Sequence, residues 1–424
     1  MKESSVFKFI HAADLHLDSP FTGVTAESPS IAGSLHSATF EVYNSLIDLC
    51  IEKQVQFLLI AGDIYDGADR SLRAQLRFRD GLQRLADNNI QSFVVHGNHD
   101  PFKGHSRSID WPEGVHVFSY RKVKSIPFKV GNSPVAMISG ISHENRNITI
   151  NLAKKFEPQD LDLFQIGLLH CNVGRDTGHE AYAPCELQDL IKTGLDYWAL
   201  GHVHERKILH KDPYVVYPGN TQGRNIREQK ERGCYLVQVD DNNRVTSLEF
   251  HELDEIRWFW GSLAIDGLDT LDQLENALSG CIEDFSKKAG SRSHICRISL
   301  TGQGSLFDEL SRENALQELL EHTRDNYEAK SPFVWVQDLI FECRPEIDLK
   351  KRREAKDFLG QVLRISQELS DTEEGHKRLV EEGLEELFKN RRASKHLQDI
   401  TDNEISRMLK SAELLCFQML EGDL

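Results

Sequence analysis

The sequence predicts an α/β domain, followed by a smaller α+β unit and a charged helical C-terminal region. Three observations carry that expectation. Short apolar runs closed by polar or Gly-containing residues recur up to about residue 250, and stretches of helical period separate the first three of them. Past residue 345 the runs stop and a charged, Leu-rich composition takes over.

The runs at 6–10, 57–60, 93–95, 135–138, 164–169, 197–200 and 214–217 are rich in β-branched and aromatic residues and read as buried strands. Within 40–51, Phe40, Tyr43, Leu46, Ile47 and Cys50 follow the spacing of a core-facing helix stripe, and Leu72, Leu76, Leu82 and Leu85 do the same within 72–85. Strand, helix, strand, helix, strand is an α/β layer. The runs 234–239 and 245–252, joined by Asp240-Asp241-Asn242-Asn243, read as a hairpin, after which the pattern changes. Leu268, Leu271, Leu274, Leu278, Ile282 and Phe285 then mark a helix, 295–300 a strand, 310–320 a helix and 333–341 a strand. After Pro345 three helices are expected, at 350–369, 373–389 and 401–420. Val380, Leu384, Leu387, Phe388, Met408, Leu409, Leu414, Leu415, Phe417 and Leu420 there offer more apolar surface than a short solvated tail needs, which suits a docking element as well as a tail packed on its own domain. The expected domains are 1–252, 253–345 and 346–424.

A chain of 424 residues has room for two or three domains with a full core. Its 50 Lys and Arg against 67 Asp and Glu leave a net charge of −17, so no global positive field draws it onto polyanions. Nucleic-acid binding must then be local or shared with a partner. Eight cysteines without a Cys-x-x-Cys pair exclude a zinc ribbon or a legible disulfide framework and fit a reducing cytoplasm. Neither a secretory leader nor a membrane-length apolar stretch is readable, so a cytoplasmic protein without membrane association is expected.

The chemistry gathers where the strands end. The first run leads into His11-Ala-Ala-Asp14-Leu-His16, the second into Asp63-Ile-Tyr-Asp66, the third into His-Gly-Asn98-His99-Asp100, the fifth directly into His170 and the sixth into Gly-His202-Val-His204. Open α/β sheets build their ligand sites at such carboxyl ends. An i, i+2 pair such as Asp14/His16 or His202/His204 reaches one cation if the chain twists out of strict alternation as it leaves the strand. Carboxylate, imidazole and amide oxygen without thiolate suit hard or borderline divalent ions. Two such ions about 3.5–4 Å apart can assist an in-line phosphoryl displacement.

These motifs resemble the signature of the calcineurin-like metallophosphoesterases. The segments beginning at His11, at Asp196-Tyr-Trp-Ala-Leu-Gly-His and at Tyr217-Pro-Gly-Asn220 resemble the SbcD/YhaO-like branch of DNA repair exonucleases, relatives of the meiotic-recombination nuclease subunit. The resemblance is strong over residues 6–252, looser to about 345 and only general beyond. It implies a four-layer α/β/β/α sandwich with a small capping unit. It also implies that Asp14, His16, Asp63 and His204 hold one ion and Asp63, Asn98, His170 and His202 the other, with manganese first and iron, zinc or magnesium as alternatives. His99 would protonate the leaving oxygen or stabilise its charge, oriented by Asp66, although some relatives carry another residue at that place. The implied partners are DNA and an SMC-like coiled-coil ATPase docked on the C-terminal helices, with a homodimer possible.

Outside the motifs, Arg224 and Arg227 are candidates for substrate phosphate, balanced against a solvated loop. Asp100 is expected to fix its loop through backbone hydrogen bonds, Cys171 to pack, and His143, His179 and His251 to have ordinary surface or loop roles. Trp258 and Trp260 are expected to pack domains together rather than to stack on bases. The leading function is a two-metal DNA phosphodiesterase. The alternatives are a phosphoesterase for small molecules or phosphoproteins, and a regulatory scaffold with a vestigial site, against which the intact ligand set argues.

Overall fold

The computed structural model of the chain describes residues 6–24, 29–67, 71–103, 109–159, 162–174, 182–327, 330–345, 352–370 and 372–379, with 408–409, 412–413 and 416. In chain order the elements are β1 (Phe7–Ala12), α1 (Pro29–Glu52), β2 (Phe57–Ala61), α2 (Leu72–Asp87), β3 (Gln91–Val95), β4 (Val115–Val117), β5 (Lys124–Val130), β6 (Ser133–Ile141), β7 (Phe164–His170), α3 (Leu187–Ile191), β8 (Tyr197–Gly201), β9 (Lys207–Lys211), β10 (Tyr214–Tyr217), β11 (Gly233–Val239) and β12 (Val245–Glu252). There follow β13 (Ile256–Ala264), α4 (Leu271–Ala289), β14 (Ser293–Thr301), α5 (Phe307–Leu310), α6 (Ala315–Asp325), β15 (Val334–Phe341), α7 (Phe358–Ser370) and α8 (Glu373–Arg378).

Two six-stranded sheets, ordered β12-β11-β1-β2-β3-β4 and β5-β6-β7-β8-β10-β9, supply the two inner layers. Alternation along each strand decides which residues face where. Phe7, Phe9, Phe57 and Phe93 of the first sheet meet Phe128, Ile138, Phe164 and Ile166 of the second in one apolar layer. Phe57 stacks on Phe9 at 5.0 Å between ring centres and tilts onto Phe128 at 4.8 Å. Phe57 is fully buried, so truncating it to Ala costs about 3–5 kcal/mol. The opposite face of the first sheet, with Ile10, Leu58 and Ile60, packs on Tyr43 and Leu46 of α1 and Phe78 and Leu82 of α2. Leu169, Trp198 and Val215 on the outer face of the second sheet meet Leu190 of α3 together with Leu152 and Phe156. The result is the expected α/β/β/α layering.

β1, β2 and β3 run parallel in one sheet, and β7 and β8 in the other. Their carboxyl ends carry every residue of the proposed metal set. A third sheet, β13-β14-β15, follows. Trp258 on β13 is buried with Ile256, Ile295 and Trp335, its indole N–H donating to the Gly223 carbonyl at 2.9 Å, whereas Trp260 is 45% exposed. The described residues divide into two compact units, one drawn from 1–263, 270–301 and 311–342, the other from 264–269, 302–310 and 343–424.

Element edges depart from expectation for local reasons. α4 starts at Leu271 because Thr270 caps it, its side chain accepting from the Gln273 N–H. The helix expected at 310–320 is broken: α5 ends at Leu310 and α6 starts at Ala315, after Asn314 turns left-handed at φ 68°. In the C-terminal region only α7, α8 and a few further residues are described. Val380, Leu384, Leu387, Phe388, Leu414, Leu415, Phe417 and Leu420 lie outside the described residues. No helix among the described residues is long and apolar enough to cross a membrane.

Candidate metal centre

The loops after β1 and β2 run side by side. The N–H groups of Asp14, His16 and Leu17 donate to the carbonyls of Gly62, Asp63 and Ile64 at 3.1, 3.1 and 2.8 Å. Asp14, His16 and Asp63 take positive φ angles of 51°, 44° and 47°, and this left-handed backbone is the departure from alternation that the paired ligands require. Such conformations cost of order 1–3 kcal/mol each and persist where surrounding contacts over-determine them. Glycines leave room for the cluster: a Cβ at Gly97 would collide with the Asp63 carboxylate and the His170 ring, and one at Gly201 with the Ala61 carbonyl.

Two groups of ligand atoms converge at the strand ends, and His16, Asp66 and His99 make a further group within 4.8 Å beside them. In the first, Asp14, His16 and His204 bring an oxygen and two nitrogens within 4.8 Å of one another, with His16 Nε2 and His204 Nε2 3.1 Å apart. In the second, Asn98 Oδ1 lies 2.9 Å from His170 Nε2 and 3.1 Å from His202 Nδ1, and Asp63 Oδ2 lies 3.3 Å from His170 Nε2. Asp14, Asp63 and His170 also cluster within 4.8 Å, which brings the two groups together.

The chemistry of these donors suits divalent cations. His170 Nδ1 donates to the Ala61 carbonyl at 2.9 Å, which turns Nε2 toward two oxygen acceptors, Asn98 Oδ1 and Asp63 Oδ2. Carboxylate, amide-oxygen and imidazole donors gathered this closely suit a divalent cation among them. The field favours positive charge. Burial opposes charge on His170, yet the Asp63 and Asp14 carboxylates push its pKa up to about 9. Burial pushes the Asp14 carboxyl up to about 6. Asp63 is held well below the usual carboxylate range against its own burial, by His170 first and then His16 and His99. All seven expected ligands, Asp14, His16, Asp63, Asn98, His170, His202 and His204, lie in this one pocket.

His99 stands at its edge. Its backbone N–H donates to Asp63 Oδ1 at 2.9 Å, and its ring Nδ1 to Asp66 Oδ1 at 2.6 Å. Its side chain is 32% exposed. The Asp66 hydrogen bond raises the His99 pKa against partial burial. The other Asp66 oxygen accepts from Ser19 Oγ at 2.7 Å and Arg224 Nη1 at 3.0 Å. Arg224 is therefore engaged with the carboxylate that holds His99, while Arg227 is exposed. Asp100 fixes its loop as expected, Oδ1 accepting from the Gly97 N–H at 2.7 Å and Oδ2 from Ile64 N–H at 3.1 Å and His96 Nδ1 at 2.9 Å.

His143 does not have the surface or loop role expected of it. It is fully buried, and its Nε2 donates at 2.6 Å to the carbonyl of His170, fixing the backbone that carries a site residue. Cys171 is buried, 3.9 Å from the Cys185 sulfur. His251 is half-buried beside Glu249, and His179 lies outside the described residues. Sequence reasoning passed over Glu228, which is buried with its Oε1 2.5 Å from His204 Nδ1.

Residues 7–206 match the calcineurin-like phosphoesterase family, and residues 258–344 the middle domain of metallophosphoesterase YhaO. The uncharacterized metallophosphoesterase YhaO of Bacillus subtilis (strain 168) is 34% identical over 418 residues, 97% of this chain and 98% of that protein. The chain belongs to the YhaO metallophosphoesterases. It is a metal-binding hydrolase by membership. At 22% identity this metallophosphoesterase is also similar to the DNA double-strand break repair protein Mre11 of Sulfolobus acidocaldarius, over 75% of this chain and 81% of that one. The Mre11 protein of Methanococcus maripaludis is 22% identical over 77% and 93%.

Proposed function

We propose that this metallophosphoesterase is a two-metal phosphodiesterase that hydrolyses DNA in repair, as an exonuclease with some endonuclease capacity. The observation that carries the reading is the position of Asp63, in contact with His170 and clustered with Asp14, between two groups of imidazole and oxygen donors. Asp14, His16, Asp63 and His204 hold one ion, and Asp63, Asn98, His170 and His202 the other. Two divalent ions, manganese first, supply when bound the polarisation of the phosphoryl oxygens and a water of lowered pKa. His99 faces the scissile phosphate as imidazolium and gives its proton to the leaving oxygen, and Asp66 keeps the ring turned and charged. Relatives named for DNA double-strand break repair support DNA as the substrate.

With a net charge of −17 the chain has little general attraction for DNA. An SMC-like ATPase docked on residues 346–424 supplies the basic surface, and residues 253–345 cap the nuclease domain of residues 1–252. The protein works in the cytoplasm beside that ATPase, and a homodimer is compatible with this role. The same charge favours a second reading, a small-molecule phosphodiester as substrate. Metal-stripped protein given manganese, magnesium or zinc, with labelled duplex, single-stranded and hairpin DNA beside a chromogenic phosphodiester, separates the two. DNA shortening under manganese is expected. Hydrolysis of the chromogenic ester with every DNA left intact, in the presence of the ATPase as well, overturns DNA as the substrate.

A further inference from the structure

Glu228 lies in the charged stretch Arg227-Glu228-Gln229-Lys230-Glu231-Arg232, yet the fold buries it. The segment after β10 wraps back over the second ligand of the pair at the end of β8. Arg232 Nη1 donates to the His204 carbonyl and, at 3.0 Å, to Asn220 Oδ1, while its Nη2 donates to the Gln229 carbonyl at 2.7 Å. Glu228 is itself held at three points. Its backbone N–H donates to the Asn225 carbonyl at 3.0 Å, Oε2 accepts the Arg224 backbone N–H at 2.7 Å, and Oε1 meets His204 Nδ1 at 2.5 Å.

A carboxylate oxygen can only accept, so the short contact places the proton on His204 Nδ1 and the lone pair on Nε2, the nitrogen that stands 3.1 Å from His16 Nε2. From this geometry we infer that Glu228 is the positioning residue of the Asp14/His16/His204 site, fixing both the tautomer and the ring plane of His204. The inference rests on the two-metal reading. Partners of this kind cost about 10–100-fold in metal affinity when removed. The loss should be selective, because no contact of Glu228 reaches Asn98, His170 or His202 among the described residues.

Calorimetric titration of manganese into metal-stripped full-length protein provides the test, with wild type, Glu228→Ala, Glu228→Gln, His204→Ala and the Glu228→Ala/His204→Ala double variant compared and folding checked by thermal melting. Wild type should show two sites. In Glu228→Ala one site weakens about 10–100-fold and the other keeps its wild-type affinity. Glu228→Gln preserves the shape and can keep a single acceptor toward Nδ1, so it falls between. Adding Glu228→Ala to His204→Ala should cost nothing further. Unchanged affinities in a folded Glu228→Ala protein, equal weakening of both sites, or additive losses in the double variant overturn the assignment. A wild-type protein that binds fewer than two ions would instead overturn the two-metal reading itself.

Discussion

The His99 ring is held by Asp66 at 2.6 Å while its own backbone N–H is fixed to Asp63 Oδ1 at 2.9 Å. One residue is thus tied through its main chain to the Asp63 carboxylate and through its side chain to a second carboxylate, Asp66. That arrangement places a titratable ring beside the converging donors of the candidate metal centre.

Replacing His99 by Ala should therefore separate chemistry from metal binding. Backbone contact with Asp63 survives the change, so two manganese ions remain bound. The rate constant for phosphodiester hydrolysis falls about 10²–10⁴-fold, the usual loss of a general acid. Metal analysis beside single-turnover kinetics checks this, and loss of an ion in step with activity would make His99 a ligand.

The pH profile reports on Asp66. Its hydrogen bond raises the His99 pKa, so the imidazolium persists to higher pH than an ordinary histidine allows. A reaction that needs this proton is fully active below the raised pKa and declines as pH rises through it. In Asp66→Asn the charge that favours the imidazolium is gone, and the alkaline limb of kcat moves to lower pH with metal content unchanged. An alkaline limb that stays in place would remove His99 from the proton transfer.

Gly97→Ala tests how closely the pocket is packed. The added Cβ meets the Asp63 carboxylate and the His170 ring, neither of which can retreat without leaving its hydrogen bonds. Manganese affinity should fall at least about tenfold, read by titration, together with a lower melting temperature. An alanine tolerated without loss would mean that Asp63 and His170 are not fixed as described.

Much of this was legible because the strands that carry the site are also the most apolar. Phe57–Ala61 and Tyr197–Gly201 are buried at every residue, so each reads as an uninterrupted run that stops where polar ligands begin. β5 and β9 could not be read that way. Lys124, Pro127 and Lys129 lie along β5 and Lys207, His210 and Lys211 along β9, edge strands whose exposed faces leave no apolar run. Glu228 and His143 were hidden for a different reason. Each is a single polar residue whose partner, His204 or the His170 carbonyl, is distant in sequence and brought near only by tertiary packing. Asp66 was legible through the family resemblance, but its engagement with Arg224, 158 residues away, was not.

The most direct measurement is the number of manganese ions held per chain by wild type and by Asp63→Asn, with DNA hydrolysis followed on the same preparations. Asp63 is the carboxylate assigned to both ions, and Asn keeps its shape while removing its charge. Two ions in wild type, most of the bound metal gone in Asp63→Asn and hydrolysis nearly abolished is the predicted result. Two ions bound at wild-type affinity in Asp63→Asn would contradict the account.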